Sequence, residues 1–140
     1  MSKDNVCGMK NAISHIDGAS RGNPGKASYG VVINSNGKKY ILKKFLGIAT
    51  NNKAEYEALL AVLNWAFENK IEFLKVFSDS KLLVEQIRGK YKVKSENLKK
   101  LHKEAMENIN KIPKFQIYYI KREYNKEADK VANECLDESL

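Results

Sequence analysis

The sequence predicts an α/β domain in which helices cover one mixed β-sheet. Three observations support this class. The chain has 140 residues, which suits one domain. Two strand-like runs flank the turn dipeptide Asn36-Gly37, and strand patterns then alternate with helical ones. Hydrophobic residues make up 43% and charged residues 30% of the chain, which excludes a disordered or low-complexity protein.

The polar start of the chain predicts an N-terminal tail over residues 1–11, followed by the domain over residues 12–140. The tail has no apolar stretch typical of a signal sequence, and no later run reaches membrane-spanning length. We therefore expect a cytoplasmic protein with no membrane contact. From Ile13 to Asp17 the alternating residues predict a short first strand that ends at the aspartate, before a turn-rich run over residues 19–25.

The next two strands are predicted to form a hairpin. Tyr29–Ser35 and Lys38–Leu46 flank Asn36-Gly37, and this dipeptide tolerates the positive φ angles of a tight primed turn. The first three strands are therefore expected to form an antiparallel meander.

Four helices and two further strands complete the predicted order βββαβααβα, with five strands in all. The first helix starts at a cap formed by Asn51 or Asn52 and runs to about Asn69. The other predicted elements are a strand over 74–78, a helix from Asp79-Ser80 to about 88, a helix over about 95–110, a strand over 115–120 and a helix from about 125. Because parallel strands need crossover connections, this order predicts a mixed sheet flanked by helices.

Charge and cysteine content narrow the function classes. A net charge of +8 and a pI near 9.4 favour polyanionic partners, because clustered Lys and Arg displace counterions from a phosphate backbone. Cys7 and Cys135 have neither the spacing of a zinc site nor the density of a disulfide framework, so we expect reduced thiols. Cys135 lies on the apolar stripe of the last helix and is predicted to be a core residue.

Four carboxylates are the candidate metal ligands, namely Asp17, Glu55, Asp79 and Asp129. Each also has an ordinary explanation, as a turn residue, a capping-box partner of Asn52, a helix cap and a partner of a helix dipole, respectively. All four lie at a strand end or in the first turns of a helix, so they can project over one edge of the sheet. Together they would repel one another unless a cation neutralised them, and oxygen ligands favour Mg²⁺ or Mn²⁺.

Four sequence blocks, in this order, strongly resemble the type 1 ribonuclease H family. They are Ile16-Asp17-Gly18-Ala19-Ser20-Arg21-Gly22-Asn23-Pro24-Gly25, Thr50-Asn51-Asn52-Lys53-Ala54-Glu55, Ser78-Asp79-Ser80 and Asn125-Lys126-Glu127-Ala128-Asp129. The resemblance spans about residues 13–136 and implies a ribonuclease H-like fold with a five-stranded mixed sheet. It also implies an endoribonuclease that hydrolyses the RNA strand of RNA–DNA hybrids with two Mg²⁺ ions, for which Mn²⁺ can substitute, leaving 5′-phosphate and 3′-hydroxyl ends.

The same resemblance assigns residues to roles. It implies that Asp17, Glu55, Asp79 and Asp129 are both the catalytic and the metal-binding residues. The implied substrate-binding residues are Ser20, Gly22, Asn23, Thr50, Asn51, Asn52, Ser80, Arg122 and Asn125. Part of this set would read 2′-hydroxyl groups in the minor groove, and Thr50 with Asn52 would hold a DNA-strand phosphate at a helix N-terminus. The expected partner is an RNA–DNA hybrid, with double-stranded RNA left open, and the expected state is a monomer.

The chain departs from the family pattern at two places. Many members carry a histidine in the loop before the last helix, where this chain reads Lys121-Arg122-Glu123-Tyr124. Arg122 either takes the role of that histidine or contacts a phosphate or solvent, whereas His15 is predicted to be a packed or sheet-edge residue. Some members also insert a helix and a basic handle where this chain has only residues 89–94.

Two other function classes stay open. One is a non-catalytic module that binds hybrids or double-stranded RNA, and the presence of all four carboxylates argues against it. The other is a nuclease of the same fold that acts on DNA, such as a transposase or integrase core. The Gly-Asn-Pro-Gly loop over residues 22–25 and the pair Asn51-Asn52 favour RNA readout instead.

Overall fold

The computed structural model describes residues 10–139. Its elements are β1 (Asn11–Gly22), β2 (Gly25–Ser35), β3 (Lys38–Ala49), α1 (Asn51–Glu68), β4 (Phe73–Ser78), α2 (Lys81–Ile87), α3 (Glu96–Ile109), β5 (Lys114–Tyr119) and α4 (Lys126–Glu138). This order confirms the predicted βββαβααβα, to which the structure adds a 3₁₀ turn over Arg122–Tyr124. Among the described helices, none has both the length and the apolar character needed to cross a membrane.

The described residues include only the end of the predicted tail. Residues 1–9, which contain Cys7, lie outside them, and β1 already begins at Asn11. The division into a tail over 1–11 and a domain over 12–140 stays a prediction.

The five strands form one mixed sheet in the order β3-β2-β1-β4-β5. β1 and β3 each pair antiparallel with β2, and β4 lies parallel to both β1 and β5. The parallel pairs are possible because α1 connects β3 to β4, and α2 with α3 connects β4 to β5. The predicted five-stranded mixed sheet with three antiparallel N-terminal strands is therefore confirmed.

The first strand is longer than predicted. β1 does not end at Asp17 but continues to Gly22, because antiparallel pairing with β2 continues as far as Gly22 opposite Gly25. The predicted turn-rich run is thus mostly strand, and only Asn23 and Pro24 connect the two strands. The Asn36-Gly37 turn is as predicted, with φ angles of 52° and 76°.

The helices cover the two sides of the sheet unequally. α1 packs with α2 and α3 over the main hydrophobic core, which includes Ile16 and Val31 of the sheet. On the other side α4 packs on β1, β2 and β3. A Cβ atom on Gly30 would lie 2.6 Å from the backbone nitrogen of Ala132, so this glycine allows α4 to approach the sheet closely. Cys135 is buried on the apolar face of α4, as predicted.

The cap of α1 differs from the prediction. The Thr50 side chain, rather than that of Asn51 or Asn52, accepts a hydrogen bond from Lys53 N at 3.1 Å. Both asparagines lie inside the first turn, one residue or more beyond the cap. Thr50, Asn51 and Asn52 are consecutive polar residues, each of a type that can cap a helix. Because β3 ends at Ala49, Thr50 is the first residue after the strand and becomes the cap.

Candidate active site

Two of the candidate carboxylates meet where β4 ends beside β1. The last parallel pair of these strands joins Ile16 and Ser78, so β1 continues past the end of β4. Asp17 is the next residue of β1, and Asp79 directly follows β4. The carboxyl end of a parallel strand is a common ligand position in α/β sheets, and here it brings the two aspartates together.

Glu55 reaches the same place from the second turn of α1. The Gly18 N–H donates a hydrogen bond to Glu55 Oε1 at 3.1 Å. A Cβ atom on Gly18 would lie only 2.5 Å from Glu55 N, so the glycine lets the start of α1 lie directly against β1. Because Thr50 caps the helix and Glu55 bonds Gly18, the capping-box explanation of Glu55 is wrong.

Three carboxylates form one tight cluster. One oxygen from each of Asp17, Glu55 and Asp79 lies within 4.8 Å of the others. Asp17 is 2% and Glu55 9% exposed, so the cluster is mostly withdrawn from water. Asp129 is outside this group of three but interacts with the Asp17 carboxyl, while Asn133 Nδ2 donates to Asp129 Oδ1 at 3.1 Å. The structure thus brings all four predicted ligands to one region.

The cluster is electrostatically strained when no cation is present. Burial, followed by the charges of Asp79 and Asp129, raises the pKa of Asp17 to about 8, against a smaller opposing effect of Arg122. Burial and the charge of Asp17 also raise the pKa of Glu55 well above its usual value. Buried carboxylates of this kind become ionised when a cation neutralises them. Their hard oxygen atoms suit a divalent ion such as Mg²⁺ or Mn²⁺, so the residues present fit the metal that the sequence resemblance implies.

Asn125 holds the cluster from the side of α4. It is 1% exposed, and its Nδ2 donates to the Ile16 carbonyl oxygen at 2.9 Å and to Asp79 Oδ2 at 3.0 Å. Its side chain does not cap α4, although it precedes that helix. These two hydrogen bonds give Asn125 a positioning role for Asp79, whereas its substrate-binding role stays a prediction. The sequence carries no signal for this bridge, because the two partners lie 109 and 46 residues away along the chain.

Asn125→Ala is expected to loosen Asp79 and to leave the buried Ile16 carbonyl without this donor. We expect a loss of about 1–3 kcal/mol in the free energy of unfolding and about a tenfold loss of Mn²⁺ affinity. Chemical denaturation and titration calorimetry measure the two effects. Asn69→Ala is the matched control, because its side-chain amide donates to the Trp65 carbonyl oxygen at the far end of α1 and touches none of the four carboxylates. Wild-type Mn²⁺ affinity in the Asn125 variant would contradict the positioning role.

A polar surface borders the cluster. The Asn23 side-chain oxygen accepts a hydrogen bond from Asn51 N at 3.0 Å, which ties the β1–β2 turn to the start of α1. Ser20 Oγ donates to the Ala49 carbonyl oxygen at 3.1 Å and also to that of Gly22. Thr50, Asn51 and Asn52 are all exposed at this end of α1. The structure therefore places the predicted β1–β2 turn residues beside the predicted helix-start residues.

The remaining predicted contacts lie on the opposite side of the cluster. Ser80 directly follows Asp79 and caps α2 by accepting a hydrogen bond from Leu83 N. Arg122 is exposed in the 3₁₀ turn, and its charge acts on Asp17. His15 is packed, as predicted, with its ring 5.1 Å from that of Phe77. Burial lowers the pKa of His15.

Comparison with known proteins identifies the family. Residues 15–135 match a family model described as "Reverse transcriptase-like". A protein named Ribonuclease H from Clostridium botulinum is 31% identical over 148 aligned positions, covering 93% of this chain and 98% of that protein. The chain belongs to the ribonuclease H family.

Further members of the family extend the comparison. The "Bifunctional protein Rv2228c" of Mycobacterium tuberculosis is 40% identical over 128 residues, which cover 89% of this chain but only 35% of that protein. The solved N-terminal RNase H domain of Rv2228c superimposes with a TM-score of 0.87 at 37% identity, covering 91% of this chain and 94% of that one. LC11-RNase H1, solved in complex with an RNA/DNA hybrid, gives a TM-score of 0.85 at 36% identity, with 91% and 98% covered. The ribonuclease H-like fold is thereby confirmed.

Proposed function

We propose that this chain is an endonuclease that hydrolyses the RNA strand of RNA–DNA hybrids and leaves 5′-phosphate and 3′-hydroxyl ends. The convergence of Asp17, Glu55 and Asp79 carries the proposal, because a buried cluster of carboxylates needs a divalent cation and suits phosphodiester hydrolysis. The names of the relatives support it, and so does the RNA/DNA hybrid in the LC11-RNase H1 complex.

In this proposal Asp17, Glu55 and Asp79, with Asp129 beside them, hold two Mg²⁺ ions, or Mn²⁺ in their place. When bound, such ions activate a water and stabilise the charge that develops on the departing 3′-oxygen. The protein's part is to hold the ligands in place before substrate arrives. Gly18 N–H orients Glu55, and Asn125 orients Asp79, while Asn133 does the same for Asp129.

Substrate recognition is proposed for the polar surface formed by Ser20, Asn23, Thr50, Asn51 and Asn52. Amide and hydroxyl groups can both donate to and accept from a 2′-hydroxyl, the group that distinguishes RNA from DNA in the minor groove. The start of α1 also presents backbone N–H groups and a positive dipole, which suit a phosphate of the DNA strand. Arg122 is proposed to contact a phosphate close to the scissile bond.

The direct test is cleavage of three end-labelled duplexes of the same sequence, an RNA–DNA hybrid, double-stranded RNA and double-stranded DNA, with Mg²⁺ or Mn²⁺. We expect the hybrid to be cut within its RNA strand, with no cleavage in EDTA. Phosphatase treatment and ligation of the fragments would reveal the 5′-phosphate and 3′-hydroxyl ends. A hybrid that carries one 2′-deoxynucleotide in its RNA strand should resist cleavage near that position if 2′-hydroxyls are read.

The other outcomes point to the alternative classes. Binding of the hybrid without any metal-dependent cleavage would favour a non-catalytic module, and cleavage of double-stranded DNA alone would favour a DNA-acting nuclease. Monomeric function is also proposed, because all four carboxylates come from one chain. Sedimentation of the active protein tests this point.

A further inference from the structure

A second surface lies on the α4 side of the sheet, where α4 does not extend. We call it the aromatic face and define it by His15, Phe73, Lys75, Phe77, Lys114 and Tyr118. α4 packs over β1, β2 and β3 on this side, but the side chains that β4 and β5 present here stay half-buried or exposed. On the opposite side of the same strands, Leu74, Val76 and Ile117 are buried in the main core.

The aromatic rings on this face form a continuous row across three strands. His15 of β1 stacks on Phe77 of β4 with 5.1 Å between ring centroids, and Phe77 stacks on Tyr118 of β5 at 5.4 Å. The strand register produces the row, because His15 pairs with Phe77 and Phe77 pairs with Tyr118. Because neighbouring rings stack on one another, they form one aromatic row that presents chiefly ring edges to the open side of the sheet.

Cations lie among these rings. The ammonium groups of Lys75 and Lys114 lie 5.4 and 4.5 Å from the centroid of the Phe73 ring. Arg88 lies over the Tyr118 ring at 5.5 Å and donates two hydrogen bonds to the Ile117 carbonyl oxygen.

The face carries little negative charge of its own. Apart from Asp17 in the cluster, the other residues that these three strands present on this side up to that position are uncharged. They are Asn11 and Ile13 of β1 and Gln116 of β5. Glu127 of α4, whose charge acts on His15, forms an ion pair with Lys39. The aromatic face is therefore positively charged as well as aromatic.

The aromatic face also lies close to the carboxylate cluster. His15 and Asp17 point to the same side of β1 and are two residues apart, a separation of about 7 Å along a strand. A nucleic acid strand that leaves the cluster in this direction has only a short distance to reach the aromatic row. This relation to the active site rests on the proposed function, whereas binding to the face itself does not.

We propose that the aromatic face binds an unpaired nucleic acid strand, such as a single-stranded extension next to the paired substrate. Aromatic side chains interleaved with cations are the chemistry that binds single strands, since bases pack against the exposed parts of the rings and phosphates pair with Lys and Arg. A duplex does not expose its bases for such packing, so the occupant is unpaired RNA or DNA. Recognition here is independent of base sequence.

The test measures binding of fluorescein-labelled oligo(dT) and oligo(U) of about twelve nucleotides to the full chain by fluorescence anisotropy in EDTA. Tyr118→Leu and Phe77→Leu keep apolar bulk but remove the rings, and each is expected to weaken binding about fivefold or more. Lys114→Gln changes an exposed side chain and is expected to weaken binding while lowering its salt dependence. Comparison of the two oligonucleotides shows whether RNA or DNA is preferred.

Tyr40→Leu is the matched control, because Tyr40 is an exposed aromatic residue on β3 that contacts Trp65 and lies away from the aromatic face. It should bind as the wild type does. Unchanged binding by folded Tyr118→Leu and by Lys114→Gln would overturn the proposal, as would an equal loss in Tyr40→Leu. A change in self-association without a change in oligonucleotide binding would instead assign the face to a protein partner.

Cleavage assays separate this inference from the proposed function. Tyr118→Leu should cut a blunt-ended hybrid at the wild-type rate and should lose the advantage that a single-stranded extension gives the wild type. If no hybrid is cut by any variant or by the wild type, the proposed function fails, and the anisotropy measurements still decide whether the face binds single strands.

Discussion

Asp17→Asn is expected to lower hybrid cleavage by about a thousandfold or more while making the metal-free protein more stable. The loss of activity follows because Asp17 is a buried member of the cluster that approaches both Glu55 and Asp79 and also interacts with Asp129. The amide keeps the size of the side chain but removes its negative charge, so cation binding should weaken strongly. Steady-state cleavage and Mn²⁺ titration calorimetry measure the two effects.

The gain in stability follows from the direction of the pKa shift. The pKa of Asp17 rises from 3.8 to about 8 on folding. Its contribution to stability is therefore complete below pH 3.8 and is lost as the pH rises through about 8, where the buried carboxylate must ionise beside other carboxylates. A neutral amide avoids this cost. In EDTA we expect the melting temperature of Asp17→Asn to exceed that of the wild type by about 4 °C or more near pH 8.5, and by less near pH 5.

Asp137→Asn provides the matched control. Asp137 is an exposed aspartate that pairs with Arg21 at 2.6 Å, so its replacement should leave cleavage and the pH dependence of stability close to those of the wild type. Substantial cleavage by a correctly folded Asp17→Asn protein would contradict the assignment of the active site. A lower melting temperature in EDTA at every pH would contradict the electrostatic explanation.

Gly18→Ala is expected to have the second-largest effect, because it acts on both stability and activity. The added Cβ atom would lie 2.5 Å from Glu55 N and 2.6 Å from the Ala54 carbonyl carbon, both of which are backbone atoms. The start of α1 must therefore move away from β1 and carry Glu55 with it. We expect a loss of about 3 kcal/mol in the free energy of unfolding, together with at least about a hundredfold loss of cleavage. Urea denaturation and hybrid cleavage measure these.

Gly89→Ala separates steric overlap from the general effect of replacing a glycine. Gly89 has a φ of 81°, but a Cβ atom there would meet nothing within 4 Å. This variant should lose only about 1–2 kcal/mol from backbone strain and should keep its cleavage rate. If the two variants lost activity to the same extent, close approach of α1 to β1 would not explain the importance of Gly18.

Local sequence patterns predicted most of the fold because they act over few residues. The Asn36-Gly37 turn, the apolar face of α4 and the starts of the helices near Ser80 and Ser95 depend on neighbouring residues, and all are present. Element boundaries were less predictable. β1 extends beyond Asp17 because a partner strand, β2, is available to pair with it, and turn-forming residues by themselves do not reveal that partner.

The same division applies to the candidate active site. The order of four carboxylate-containing blocks was sufficient to predict the family and a metal site, since the residue types and their neighbours can be read directly from the sequence. Gly18 and Asn125 illustrate what was not predictable. Both act across long sequence separations. Gly18 allows the backbone of α1 to lie against β1, and Asn125 donates hydrogen bonds to both Ile16 and Asp79.

The sequence by itself therefore determined the α/β class, the element order, the turn chemistry and the identity of the acidic residues. Only the tertiary structure decided which carboxylates share a cluster, how deeply Asp17 is buried, and that α4 leaves an aromatic face uncovered. The physical reason is that secondary structure depends on interactions between near neighbours, whereas burial, pKa shifts and contacts between elements depend on residues that folding alone brings together.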